Sequence, residues 1–305
     1  MVAQNRPRVS LGMPVYNGAE YLRETLTAVL NQTFTDFVLV VCDNASTDET
    51  AAIVKEFMAK DGRIHYFRNE INIGAAGNYN RVFHLCPEAD YFKWVAHDDS
   101  LAPDFLEKCI AVLDAEPEVV LCYPASMLIN RKGEVFGEYA DGLHLRDPRP
   151  YRRLRQFFAR PGMCHAVFGL IRMDALRQTS LIGNFPRSDR NLLGELTLYG
   201  QFYELEEKLF LRRIHPKTST RVHVTEYELA TWFDPHRRGR LVFPRWRRFW
   251  EYVKAIWRAP LSGWERVRCY LVLLQFTLMV EKWRGVLEDV WVAVRLLPSR
   301  LLKQA

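Results

Sequence analysis

The sequence predicts an α/β protein with a mostly parallel sheet flanked by helices, followed by a C-terminal helical extension. Three observations support this. Short apolar runs and helix-patterned segments alternate four times over the first third of the chain, the pattern of parallel strands joined by right-handed crossovers. The runs are apolar throughout, as strands covered on both faces are. The fourth ends in two adjacent carboxylates, Asp98 and Asp99, at the edge where open α/β sheets bind ligands.

Taken in order, Val9–Pro14 reads as a buried strand and Val15–Gly18 as the turn after it. Glu20–Leu30 then carries Leu22, Leu26, Val29 and Leu30 at helical spacing. Phe37–Cys42 is the second strand, and the polar loop from Asp43 to Thr50 follows it. There Ser46 and Glu49 have capping-box spacing ahead of a helical face of Ala51, Ile53, Val54 and Phe57. Ile64–Phe67 is the third strand, and a helix from about Ala75 to Leu85 carries Asn78 and Asn80. The fourth strand, from Tyr91, runs through His97, Asp98, Asp99 and Ser100 to a helix after Pro103.

Val119–Tyr123 gives another strand, and Asn130–Glu134 a hairpin turn. Between Glu138 and Arg160 the pattern weakens, with Asp141-Gly142 and Asp147-Pro148-Arg149-Pro150 breaking it. His165–Ile171 reads as a strand followed by a helix through Leu176. Ser188 or Asp189 opens a helix whose buried stripe is Leu192, Leu193 and Leu196. Lys208–Leu211 is the final strand, and the cluster from Arg212 through His215 to Ser219 follows it.

Composition is that of a globular chain of 305 residues, 49% hydrophobic and 26% charged, long enough for one large domain with an appendage. Its six cysteines are scattered without a Cys-x-x-Cys pair, so buried free thiols in a reducing compartment are expected. Met1–Arg8 has no apolar core of a signal peptide, and a cytoplasmic location is expected. The net charge of +6 conceals an asymmetry: from Arg237 onward there are 15 Lys and Arg against 5 Asp and Glu, and seven of the eight tryptophans lie from Trp232 onward. Two parts are therefore expected, an α/β domain over 1–235 and a basic, tryptophan-rich helical extension over 236–305.

Two neighbouring carboxylates repel, so a cation or a hydrogen-bonded hydroxyl belongs between them; otherwise Asp98, Asp99 and Ser100 only open a turn and cap the next helix. No Gly-x-Gly-x-x-Gly follows the first strand, and no Gly-Lys-Ser/Thr loop occurs. Dinucleotide-dependent dehydrogenases and P-loop nucleotide hydrolases are thereby disfavoured. A nucleotide bound here needs side chains and a cation for its phosphates.

Five motifs in order carry a resemblance: Val9–Asn17, Asn31–Phe34, Asp43–Asp48, Asn72–Gly74 and His97–Asp99. Together they resemble glycosyltransferase family 2 on the GT-A nucleotide-sugar fold, over roughly residues 8 to 220. The resemblance implies an inverting hexosyltransferase that uses a nucleotide-diphospho-sugar, a UDP- or dTDP-sugar, and serves polysaccharide biosynthesis at the cell envelope. It assigns the nucleoside to Pro14, Tyr16, Asn17 and Asp43, with Asn78 among the donor-binding residues. Ribose and a divalent metal, Mg²⁺ or Mn²⁺, fall to Asp98 and Asp99. Many members carry a further Asp where this chain has Ala96, so the metal ligand stays open between Asp98 and Asp99. Such a cation would neutralise charge building on the leaving diphosphate.

An inverting transferase needs a carboxylate to take the acceptor proton. By position in the family pattern this is Asp189, whose alternative role is a helix cap; Glu195 is the reserve. Arg213 and His215 are candidates for diphosphate contact, with a solvated loop as the alternative. His65, His84, His144 and His165 lack metal-ligand spacing and read as structural or surface residues. A nucleotidyltransferase is the first alternative function, but Pro14–Gly18 is not a Gly-rich basic loop. A degenerate, membrane-associated scaffold is the second, favoured by Ala96.

In the extension, Trp246, Phe249, Trp250, Val253, Ile256 and Trp257 share one helical face, opposite Arg247, Arg248, Glu251, Lys254 and Arg258. A second helix centres on Tyr270–Val280, too short an apolar run to cross a bilayer, and a third is expected from Trp283 to about Leu297. Three partners are open: an anionic membrane surface, to which each nearby cation contributes about 1 kcal/mol; the catalytic body or a second subunit; and nucleic acid, which is disfavoured by the absence of a recognised motif. The acceptor is expected to be a glycan or lipid-linked, and the protein peripheral on the cytoplasmic face of the membrane.

Overall fold

The computed structural model of the chain describes residues 6–216 and 244–278. The first half alternates β1 (Val9–Val15), α1 (Ala19–Leu30), β2 (Phe37–Asp43), α2 (Thr50–Met58), β3 (Ile64–Arg68), α3 (Gly74–Leu85) and β4 (Tyr91–Trp94). Its three strand pairings are all parallel. The second half contains β5 (Ser100–Leu101), α4 (Phe105–Ala115), β6 (Val119–Ile129), β7 (Val135–Tyr139), α5 (Pro150–Ala159), β8 (Leu170–Arg172), α6 (Met173–Arg177), α7 (Ser188–Leu196) and β9 (Gln201–Arg213). Two further helices follow, α8 (Pro244–Arg258) and α9 (Gly263–Leu278).

The sheet has nine strands in the order β3-β2-β1-β4-β8-β6-β9-β5, with β7 paired to β6. β8 runs antiparallel between β4 and β6, and β9 lies parallel to β6 along the longest ladder. β5 pairs antiparallel with the end of β9, Ser100 opposite Leu211 and Leu101 opposite Phe210. Most paired residues therefore lie in parallel ladders, as the continuous apolar runs predict.

Side-chain alternation along the strands divides the interior into two cores. Val9, Leu11, Met13 and Val15 of β1 face Leu22, Leu26, Ile53, Phe105 and Leu106 of α1, α2 and α4. On the other face Val40, Cys42, Phe92 and Trp94 pack with α3, α5, α7, α8 and α9. Tyr252, Ala255, Ile256, Cys269, Val272 and Leu273 of the last two helices lie in this same core. The boundary expected at residue 235, the helix expected from Trp283, and Lys217–Ser219 all lie outside the described residues.

Several local expectations are corrected. The Ser46–Glu49 capping box does not form: α2 begins without a side-chain cap on Glu49, because the Ser46 hydroxyl accepts the Asn17 amide and Asp48 takes the Thr50 N–H. His165–Phe168 is a 3₁₀ turn rather than a strand, entered through Cys164 at φ +61°. On α8, whose partner the sequence left open, the buried residues are only partly those of the apolar stripe. Tyr252, Ala255 and Ile256 face inward, while Trp246, Trp250 and Trp257 are exposed. The six cysteines are all free and buried.

Candidate functional site

The C-terminal ends of β1, β2 and β4 converge, and backbone hydrogen bonds weld their loops together. Asn17, at φ +49°, accepts the Thr47 N–H on its Oδ1 at 2.8 Å and donates its own N–H to Ser46 Oγ at 2.9 Å. The left-handed backbone, which Asn tolerates better than most residues, aims its amide into the second loop. Gly18 N donates to Thr50 Oγ1 at 2.9 Å. A Cβ on Gly18 would stand 2.6 Å from Val15 Cγ2 and 2.7 Å from His97 Cδ2, so only glycine lets α1 start this close to the acidic loop. Tyr16 beside it is 46% exposed and Pro14 is buried.

Asp43 is fully buried. Its Oδ1 accepts the Ser46 N–H at 2.8 Å, and its Oδ2 accepts the Tyr66 hydroxyl at 2.6 Å and Arg68 Nη1 at 3.4 Å. Burial together with that carboxylate pushes the Tyr66 phenol up to about 12. Asn78 is also buried, in a chain of amides: its Nδ2 donates to the Cys42 carbonyl at 2.9 Å and its Oδ1 accepts from Asn69 at 3.1 Å. Asn69 in turn donates to Asn44, which holds the Ile73 N–H. Asp43 and Asn78 thus fix the shape of the β2 and β3 loops through groups that are already hydrogen-bonded within the protein.

The acidic pair divides its work. Asp99 is 3% exposed and faces β9, with Oδ2 2.6 Å from Arg212 Nη1 and Oδ1 accepting the Arg213 N–H at 2.9 Å. Burial raises its carboxyl, against the pull of Arg212. The Asp98 side chain is 13% exposed. Burial pushes its carboxyl up, but the hydrogen bond from His215 and the charges of His97, Arg212 and His215 outweigh that, and it lies well below the usual carboxylate range. His215 Nε2 stands 2.9 Å from Asp98 Oδ2; an ionised carboxylate only accepts, so Nε2 carries the proton. Among the described residues, Asp98 Oδ1 accepts no hydrogen bond.

Arg213 is 1% exposed and is taken up by the protein. Its Nε donates to the Asp98 carbonyl at 2.9 Å, Nη1 to the Asn130 carbonyl at 3.1 Å and Nη2 to Glu24 at 2.5 Å. From α1, Thr25 Oγ1 donates to the His97 and Asp99 carbonyls at 3.0 and 2.7 Å. The acidic loop is thereby gripped from both sides. His165, expected to be structural, sits 2.9 Å from Ser126 Oγ through Nδ1, and burial and Arg212 hold it down to about 3, the neutral form.

Asp189 lies in the first turn of α7, after Arg187 at φ +61°. Its Oδ1 accepts the Arg190 N–H at 2.8 Å, a donor shared with the Arg187 carbonyl at 3.1 Å. Its second oxygen accepts no hydrogen bond among the described residues. Burial raises this carboxyl above its ordinary value. Glu195, two turns on, is spent elsewhere: Oε1 takes two bonds from Arg258 at 2.9 and 2.7 Å, and Oε2 accepts from Ser180.

Tyr79 of α3 lies within electrostatic reach of both acidic centres. Burial raises its phenol, and the charges of Asp98, Arg212, Asp99 and Asp189 all act on it. Tyr79, Arg212 and Thr25 are the site residues that sequence reasoning misses. A period of two places Arg212 and Arg213 on opposite faces of β9, and the sequence does not say which face meets the acidic pair. The described residues hold no group of three or more His, Cys, Asp or Glu side chains placed to bind a metal. The donor available to a hard cation is Asp98, a single carboxylate held by His215. Such a site suits Mg²⁺ or Mn²⁺ only when diphosphate oxygens and water complete the coordination.

The family model "Glycosyl transferase family 2" matches residues 10–179. The chondroitin synthase of Escherichia coli is 31% identical over 129 residues, 42% of this chain and 18% of that protein. An uncharacterised glycosyltransferase of Methanocaldococcus jannaschii is 30% identical over 137 residues, 44% of this chain and 47% of that protein. The chain thus spans less than half the length of either relative. An uncharacterised glycosyltransferase of Haemophilus influenzae is 24% identical over 72% of this chain and 69% of its own. Among solved structures, Staphylococcus aureus TarS 1–349 in complex with UDP-GlcNAc superposes with a TM-score of 0.60 at 16% identity, covering 92% of this chain and 79% of its own. The mannosyltransferase PcManGT of Pyrobaculum calidifontis, in complex with GDP-Man and Mn²⁺, gives 0.52 at 15% identity, over 95% and 86%. These likenesses show a shared GT-A-type fold.

Proposed function

The chain belongs to glycosyl transferase family 2, and from that premise we propose that it transfers a sugar, with inversion, from a nucleoside-diphospho-sugar to an acceptor hydroxyl. The observation that carries this is a pair of carboxylates that each keep one oxygen free of hydrogen bonds among the described residues: Asp98, seated by His215, and Asp189 in the first turn of α7, the first held below and the second raised above the ordinary carboxylate value. Environments that push two carboxyls in opposite directions separate an electrostatic role from a proton-accepting one.

The acceptor oxygen attacks the anomeric carbon in line with the leaving group. The bond from that carbon to the diphosphate oxygen breaks, and its electron pair leaves with the nucleoside diphosphate. Asp189, through its uncommitted oxygen, takes the acceptor proton. Asp98 would hold Mg²⁺ or Mn²⁺ at the diphosphate, and such a cation supplies charge neutralisation to the leaving group. Asp99 holds Arg212 and the β9 backbone in register. Tyr16 offers an exposed ring for a base. A UDP-sugar is the first donor to test, with a dTDP-sugar next; TarS, which binds UDP-GlcNAc, supports the former. The acceptor is proposed to be a glycan hydroxyl, free or lipid-linked. The scaffold alternative draws on Ala96 and the single carboxylate.

Donor-dependent release of nucleoside diphosphate tests the proposal, across a panel of UDP-, dTDP- and GDP-sugars. Chelation is expected to abolish release and Mn²⁺ or Mg²⁺ to restore it. Asp98→Asn should remove the metal dependence together with turnover. His215→Ala, which unseats the carboxylate, should weaken metal affinity about 10- to 100-fold. Release that survives both chelation and Asp98→Asn would overturn the metal-assisted mechanism; no release with any donor would favour the scaffold.

A further inference from the structure

The outer faces of α8 and α9 carry large apolar side chains that the fold leaves in the open. On α8 these are Trp246, Trp250 and Trp257, exposed to 38%, 54% and 71%, and the exposed Lys254 lies on the same face. Spacings of four, four and three residues keep these four together on one side of a helix. On α9 the stripe is Trp264, Val267, Leu271, Leu274 and Leu278, spaced three, four, three and four, all exposed. Neither helix can turn this face inward, because Tyr252, Ala255 and Ile256 on one and Cys269, Val272 and Leu273 on the other already fill the core. A monomeric soluble protein rarely exposes an apolar surface this continuous without a partner for it.

We propose that this face docks on an anionic lipid bilayer. The cations decide among partners. Arg266 lies over the Trp257 ring at 5.5 Å and Arg268 over the Trp264 ring at 4.8 Å. Each sets an indole, which favours the acyl boundary, beside a guanidinium whose charge suits the phosphate level; the protein steadies both cations, Arg266 through the Ile256 and Ala259 carbonyls and Arg268 through the Tyr151 hydroxyl. Two copies meeting through this face would bring like-charged rims together, whereas an anionic surface complements them. No described helix is long and apolar enough to cross a membrane, so attachment here lies in the interface plane.

The same helix pair is fastened to the base-bearing helix. Tyr252 donates its hydroxyl proton to the Arg190 carbonyl at 3.1 Å, and Asn191 Nδ2 donates to the Arg248 carbonyl at 3.0 Å. The bilayer therefore lies one helix away from Asp189, and an acceptor anchored in lipid is delivered on that side. Docking stands independently of the transferase mechanism; delivery of the acceptor rests on it.

The test is flotation of the full chain with phosphatidylcholine vesicles and with vesicles containing phosphatidylglycerol. The parent should float with the anionic vesicles, lose that binding in high salt, and float poorly with neutral ones. The variant Trp250→Ser/Trp257→Ser/Leu271→Ser should lose at least about tenfold in bound fraction, at an unchanged melting temperature. Lys254→Glu, which keeps every apolar contact, should weaken binding to anionic vesicles alone. Nucleoside diphosphate release with a water-soluble acceptor should be unchanged in all variants, so a failure of docking and a failure of the chemistry are read separately. Equal flotation of parent and variants, or no flotation of the parent, overturns the proposal. So does a lipid-free parent dimer that the triple variant converts to monomer, which would make the face an interface between copies.

Discussion

Arg258→Ala should loosen the C-terminal helices from the catalytic body, and the size of the effect follows from one ion pair. Glu195 is 2% exposed and accepts four hydrogen bonds, two from the Arg258 guanidinium at 2.9 and 2.7 Å and two from Ser180. Removing Arg258 leaves a buried carboxylate with Ser180 alone. Deleting one partner of a buried pair costs about 3–5 kcal/mol. The Arg258 side chain is 38% exposed, so water already screens part of the pair and replaces part of it after mutation, which lowers the expectation to about 2–3 kcal/mol. At roughly 2 °C per kcal/mol for a chain of this size, the melting temperature should fall by about 5 °C. Thermal and urea unfolding of parent, Arg258→Ala, Glu195→Ala and the double variant close a cycle, with a coupling of about 1–2 kcal/mol expected. Because α8 also packs on α7 at Gly194, where a Cβ would stand 2.6 Å from Tyr252, the loosened helix should lower kcat without raising the donor KM. A loss below about 0.5 kcal/mol, or a coupling of zero, would refute the view that this pair fastens the helices.

Asp189→Asn should cut kcat by about 10²–10⁴ while donor affinity, read by thermal shift, is retained; undiminished turnover would remove Asp189 as the base. Because burial raises this carboxyl and only its ionised form accepts a proton, kcat of the parent should climb with pH through a limb above the ordinary carboxylate range. Lys93 is a buried lysine on β4, donating to the Phe168 carbonyl and lying 4.3 Å from the Phe105 ring centre, and burial lowers its amine to about 7 from the ordinary 10.5. Between those values the unfolded chain binds the extra proton, so this group's contribution to stability rises with pH. Lys93→Met should therefore melt higher than the parent at pH 7 and below, with the gap closing toward pH 10. A gap independent of pH would mean that Lys93 is not held in this way.

Much of the fold was legible because it rests on local patterns. Continuous apolar runs specify strands covered on both faces, and β1, β2, β3, β4, α1, α3 and α4 follow from them with their order. The acidic pair in the turn after β4 and the carboxylate opening α7 were visible as residue types in places where chemistry happens. Local signals failed where a distant group competed for the same atom. Ser46 has the spacing of a capping box but bonds Asn17, twenty-nine residues away. Along α8 the spacing left open which residues pack inward, and the core takes Tyr252 and Ala255 beside Ile256.

The sequence by itself determined the alternation of elements, the family, and the set of carboxylates near the sheet edge, because periodicity and residue chemistry are properties of neighbours along the chain. Tertiary structure alone decided how those carboxylates divide. Asp98 and Asp99 are adjacent in sequence, but they lie in the turn between β4 and β5, where the chain sends their side chains to different partners. One meets His215 and keeps an uncommitted oxygen, and the other is spent on Arg212 and the β9 backbone. Partners more than a hundred residues away made that choice, and no local pattern records them.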